Sequence, residues 1–137
     1  MLMRIFFIAA IFGIQPAFSK PLITDSENTY VSACLAQNAS WENLEQICKN
    51  ALEDGNLTKL EQHNLLEALG DTQRWLRDLE NAEATYRSMF ALNVGDAAAN
   101  EGLGWIAFDK ENFQRAAEFF ELAVAEAPTA FRLAGLA

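Results

Sequence analysis

Histidine occurs once in these 137 residues, cysteine twice, proline three times and glycine seven times, and only ten basic residues face nineteen acidic ones. Each shortage excludes something. One histidine and two cysteines cannot supply the four ligands of a structural zinc site. A Ser-His or Cys-His dyad would have to use His63, and nothing in the sequence sets a nucleophile against it. His63 reads instead as a surface histidine at the start of a helix. The few prolines and glycines argue against a loop-rich all-β domain and against a disordered tail. A formal net charge of −9 opposes nucleic acid, where phosphate neutralisation by Lys and Arg dominates affinity, and opposes anionic membrane surfaces. The apolar run Ile5–Ile14 is far shorter than the roughly 20 residues that span a bilayer.

That run has its own meaning. Arg4 precedes it, and Gln15-Pro-Ala-Phe-Ser19 follows, ending in the small-x-small pattern of Ala17 and Ser19 that a signal peptidase accepts. The expectation is a cleaved signal peptide over 1–19, a polar lead-in over 20–25 and one domain over 26–137, exported to a periplasm or secreted. Cleavage removes Arg4 alone among the charged residues, so the remainder is still more acidic. A domain of that size buries roughly two-thirds of its unfolded surface and needs no metal lattice. An even cysteine count behind a signal peptide favours a Cys34–Cys48 disulfide, with two buried thiols as the alternative. Closing a loop of that length contributes about 3 kcal/mol.

From Ser26 onward the apolar spacing is helical, and no stretch alternates long enough to read as a strand. A first helix runs from Ser26 through about Gln37. Ser40 caps Trp41 to Asp54, with Trp41, Leu44, Cys48, Ala51 and Leu52 on one stripe and Gly55 as the stop. Thr58-Lys-Leu-Glu61 is a capping box opening a third helix to about Arg77. Leu79 to Leu92, Asp96 through Asp109 or Lys110, and Phe113 to Glu126 follow, and a short helix begins at Thr129. Short connections make these helices antiparallel neighbours.

Gly70 and Gly104 each interrupt an amphipathic helix, where glycine costs about 1 kcal/mol relative to alanine. They lie 34 residues apart, each after a leucine, with Ala82 and Ala116, then Tyr86 and Phe120, in the same phase downstream. Small residues at helix crossings and aromatics in the groove between them define two units, 63–96 and 97–130, with a degenerate hairpin over 26–55.

On these residues the chain resembles the tetratricopeptide repeat family. The second unit carries Leu103-Gly104, Ala116, Phe120, Ala123 and Pro128 in the family's places; the first carries Leu66, Leu69-Gly70, Ala82 and Tyr86. Gln73 and Ala107 stand where the family usually has an aromatic, Asn100 replaces a large residue, and Met89 and Val94 replace a small residue and proline. The resemblance implies an all-α fold of antiparallel hairpins stacked as a short right-handed superhelix. It further implies a concave face lined by Asn64, Glu67, Asp71, Arg74 and Trp75, then Ala98, Glu101, Trp105, Phe108 and Asp109. Acidic groups beside Trp75, Trp105 and Phe108 suit a protein or peptide partner with basic and apolar side chains. Simple packing of Trp105 and Phe108 between helices is the competing reading. The family's carboxylate-clamp subtype needs Lys and Asn where this chain has Glu67, Asp71, Glu101 and Trp105, so its acidic ligand would be repelled.

The sequence thus calls for a non-enzymatic binding scaffold with no cofactor and no metal, touching neither nucleic acid nor, once cleaved, a membrane interior. Two alternatives stand beside it. One is a structural module that self-associates through its C-terminal hairpin; the other is the front or an accessory domain of a longer protein.

Overall fold

The computed structural model describes residues 29–93 and 95–126; the expected signal peptide, the lead-in and the short helix over 129–137 lie outside these residues. Six α-helices and no strand occur among the described residues: α1 (Thr29–Ala36), α2 (Trp41–Leu52), α3 (Lys59–Trp75), α4 (Leu79–Met89), α5 (Ala97–Asp109) and α6 (Phe113–Glu126). Each packs on its neighbours in sequence, and α3 packs on α1 and α5 as well. None is long and apolar enough to cross a membrane.

The helix starts follow local chemistry. At α3 the Thr58 hydroxyl accepts from the Glu61 N–H at 3.2 Å while the Glu61 carboxylate accepts from the Thr58 N–H at 2.8 Å, so two orphan donors are satisfied together. The Thr58 hydroxyl also donates to this carboxylate at 2.7 Å, and that bond first, with the backbone N–H bond second, holds the Glu61 carboxyl below its ordinary pKa. Asp96 caps α5 by accepting from the Ala99 N–H at 2.9 Å. Ser40 occupies the N-cap of α2 as expected, yet its side chain makes no capping bond.

Two helix ends reveal a turn that residue identity does not announce. Arg77 and Glu111, 34 residues apart, adopt left-handed backbone with φ of 64° and 60°. After α3 the Arg77 N–H donates to the Arg74 carbonyl and the Asp78 N–H to the Gln73 carbonyl. After α5 the Glu111 N–H donates to Phe108 and the Asn112 N–H to Ala107. Both are Schellman-type closures, built without the glycine that usually stands there. Asp78 and Asn112 then cap the next helix through the N–H groups of Asn81 and Arg115.

Cys34 and Cys48 form a disulfide between α1 and α2, with Cα atoms 5.0 Å apart, which accords with an oxidising destination. The two sulfurs belong to a core containing Leu44, Ala51, Leu65, Ala68 and Leu69. A second core joins α4 to α5 through Ala82, Tyr86, Met89, Ala99, Leu103 and Ile106.

Gly70 lies at a close crossing: a Cβ there would come 2.8 Å from the Tyr86 ring. Gly104 meets Phe120 in the same way, a Cβ falling 2.7 Å from its ring, so the contact recurs 34 residues on. Gly102 presses on Tyr86 from α5, more tightly still. Tyr86 is therefore wedged between two glycines on two helices. At the far end α6 buries Ala116 and Ala123 but leaves Phe113, Leu122 and Val124 exposed.

The two repeat glycines respond differently to a methyl group. Either Gly→Ala change improves helix propensity by about 1 kcal/mol. At Gly70 the buried Tyr86 ring cannot retreat, and overpacking costs about 1–3 kcal/mol, so Gly70→Ala lowers stability. At Gly104 the Phe120 ring is partly exposed and able to swing away, so Gly104→Ala leaves stability unchanged or raises it. Urea denaturation midpoints at constant slope separate the two outcomes.

Candidate functional site

A cleft of about 220 Å³ opens between α3, α4 and α5. The i, i+3, i+4, i+7 stripe Ala98, Glu101, Gly102 and Trp105 of α5 forms one wall, and Glu67, Asp71 and Arg74 on the matching stripe of α3 form the other. Six of the residues expected to line one surface (Glu67, Asp71, Arg74, Ala98, Glu101 and Trp105) are brought together here. Asn64, Trp75, Phe108 and Asp109 do not line the cleft. Tyr86 and Gly102, absent from the expected set, do.

Charge in the cleft is uneven. Asp71 accepts the Tyr86 hydroxyl at 2.6 Å; burial first, and then this bond, push the phenol far above its ordinary range. Glu67 is half-buried beside other acids. Burial raises its pKa most, Asp71 raises it further, Asp96 and Glu101 add smaller increments, and His63 opposes them. Arg74 is the cation among these carboxylates, but its Nη1 turns aside to Asp109, at 3.3 Å, and Arg77 reaches the other oxygen of that carboxylate at 3.4 Å. Asp109 is thereby committed to tying α5 to the end of α3. The Arg74 Nε is buried with no hydrogen-bond partner, a state that costs about 1–3 kcal/mol.

Beside the cleft runs a row of rings. Trp41 of α2 stacks on Trp75 with centroids 5.8 Å apart and planes 16° from parallel. The Arg74 guanidinium lies 5.5 Å from the Trp75 ring and 5.7 Å from the Trp105 ring. Trp105 meets Phe108 and Phe120 edge-on, and Phe108 meets Phe113. Trp105 therefore does both things weighed for it: it packs on Phe120 and stays 41% exposed. Trp75, 61% exposed, leans toward α2 instead of α5.

His63 departs from the surface position expected of it. Its Nε2 sits 2.7 Å from Oδ2 of Asp96, which is almost wholly buried at the cap of α5. The pairing joins residues 33 apart in sequence and shows no local signature. Gln73 is likewise buried, accepting from the Thr85 hydroxyl at 2.6 Å, so a polar bridge joins α3 to α4.

No family model, curated protein or solved structure matches the chain.

Glu67 gives the cleft a pH signature. Its folded pKa lies above the ordinary glutamate range, so the charged form is penalised in the native state. The native state's advantage from the neutral form is present below the unfolded pKa and is lost as pH rises through the folded one. Glu67→Gln, which cannot ionise, should raise the urea midpoint at pH 7 and leave it unchanged near pH 3.

Proposed function

We propose that the chain is an exported, non-enzymatic binding scaffold, working in a periplasm or outside the cell, whose hairpins stack as a short tetratricopeptide-like right-handed superhelix. The recurrence at a spacing of 34 of the glycine–aromatic crossing and of the left-handed turn supports the stacked-repeat reading. The concave face is then the α3 and α5 side, and its occupant is a protein or peptide segment carrying basic and apolar side chains. The observation that carries this reading is the acidic cleft lying directly against exposed rings, with Trp105 belonging to both. A Lys or Arg side chain entering the cleft meets Glu67, Asp71 and Glu101. An apolar neighbour covers the Trp105–Phe108 edge. Binding requires no covalent chemistry, only shape and charge on a rigid support.

A second reading is favoured by one observation, the exposed Leu122 and Val124 on α6: the chain self-associates through its C-terminal hairpin, or a further domain packs there.

Affinity capture from a periplasmic extract tests the first reading. The unaltered chain should retain a partner that the Glu101→Lys, Trp105→Ala double variant loses, with both proteins of equal oligomeric mass and equal helicity. Identical bands from the two baits would overturn it. Light scattering tests the second reading: a concentration-dependent dimer that disappears in Leu122→Asp supports it, and a monomer throughout removes it.

A further inference from the structure

The opposite stripe of α5 builds a second recess. Leu103, Ile106, Ala107 and Lys110 follow the same i, i+3, i+4, i+7 spacing as the cleft residues but on another side of the helix, and they open into a groove of about 240 Å³ between α4, α5 and α6. Leu103, Ile106 and Ala107 are buried and make an apolar floor, with the Phe119 ring as a wall. The rim is cationic, in a chain whose net charge is −9. Of the lining residues only Glu83 is acidic, and it is already shared: Lys110 donates to it at 2.8 Å and Arg87 at 2.6 Å. The Lys110 bond lowers the Glu83 pKa most, and the charges of Lys110, Arg87 and Arg115 lower it further, so three cations surround one carboxylate. The Arg115 guanidinium lies 5.4 Å from the Phe119 ring, and among the described residues it has no carboxylate within ion-pair distance.

We infer that this groove is a binding site for a small organic carboxylate with a compact apolar body, the body resting on Leu103, Ile106 and Phe119 and the carboxylate meeting Arg115 and Lys110. Both halves of such a ligand are required. The apolar floor offers nothing to the hydroxyls of a sugar and nothing a bare phosphate can bury, while a neutral hydrocarbon leaves the excess positive charge uncompensated. The size of the recess limits the occupant to a small molecule or one aromatic-acid-sized group. The site is independent of the proposed peptide-binding face, since it shares no lining residue with the cleft.

The test is a ¹H–¹⁵N spectral titration of the purified chain with 3-phenylpropionate, with 3-phenylpropionamide and inorganic phosphate in parallel. The carboxylate should give saturable shifts at the amides of Leu103, Ile106, Ala107 and Phe119, with a dissociation constant on the order of 1 mM or tighter for a ligand of this size. Arg115→Gln, an exposed change that leaves the helices intact, should weaken binding about tenfold, as loss of one charge-assisted hydrogen bond does. Lys49→Gln, which removes an exposed cation on α2, should leave it unchanged. Absence of saturable shifts overturns the proposal. So do equal binding of the amide, the same shifts from phosphate alone, or indifference to Arg115→Gln.

Discussion

The structure turns on the seating of one ring. Tyr86 projects from α4 into the crossing of α3 and α5, where Gly70 and Gly102 leave no side chain in its way and Asp71 accepts its hydroxyl. Two glycines inside helices cost about 2 kcal/mol of helix propensity together. Burying an aromatic side chain contributes about 2–3 kcal/mol, and the close backbone approach it permits adds packing across three helices at once. The trade is favourable only because the ring fills the gap the glycines leave. The second core, the polar bridge of Gln73 and the floor of the cleft all depend on that spacing.

With α5 held in this way, its two sides acquire different chemistry. One stripe faces α3 and gathers Glu101 and Trp105 with Glu67, Asp71 and Arg74; the other faces α4 and α6 and gathers Lys110 with Leu103 and Ile106. Separate links keep α5 in place from its two ends. The His63–Asp96 contact ties its first turn to the start of α3, and the Arg74–Asp109–Arg77 triad ties its last turn to the end of α3. The Arg pairs to Asp109 are partly open to water and contribute modestly, so they fix geometry more than they add energy. Recognition by either face relies on such fixed geometry, because a segment or small molecule docking on a mobile surface would have to order it first.

Much of the frame was legible before any coordinates. The capping box at Thr58 and Glu61, the Asp96 cap and the 3.6-residue spacing of Leu44, Cys48 and Ala51 act within a turn or two of themselves, so a linear reading captures them. Gly70 and Gly104 stood out because a helix interior without a side chain calls for a neighbour. Other features left no such trace. Arg77 and Glu111 have no intrinsic preference for left-handed backbone, so the turns they make are invisible in residue identity. Trp41 read as a core position and turned out to be half-exposed, stacked on Trp75. Gly102 carries no repeat-phase signal in the sequence, yet it presses hardest on the Tyr86 ring. About half of the proposed lining set converged on the cleft, and Asp109 was diverted into a structural triad.

The sequence by itself determined the helices, where most of them start and stop, the spacing of 34 that relates their contacts, and the cysteine pair, because each depends on short-range geometry or on composition. Only the tertiary structure decided which side of α5 meets which helix, that His63 reaches Asp96, and that Arg74 spends its fork on Asp109 and leaves Nε without a partner. The physical reason is that contacts across helices depend on the rotation and separation of whole elements. A shift of one residue around α5 turns every side chain by about 100°, and nothing local in the chain specifies that angle.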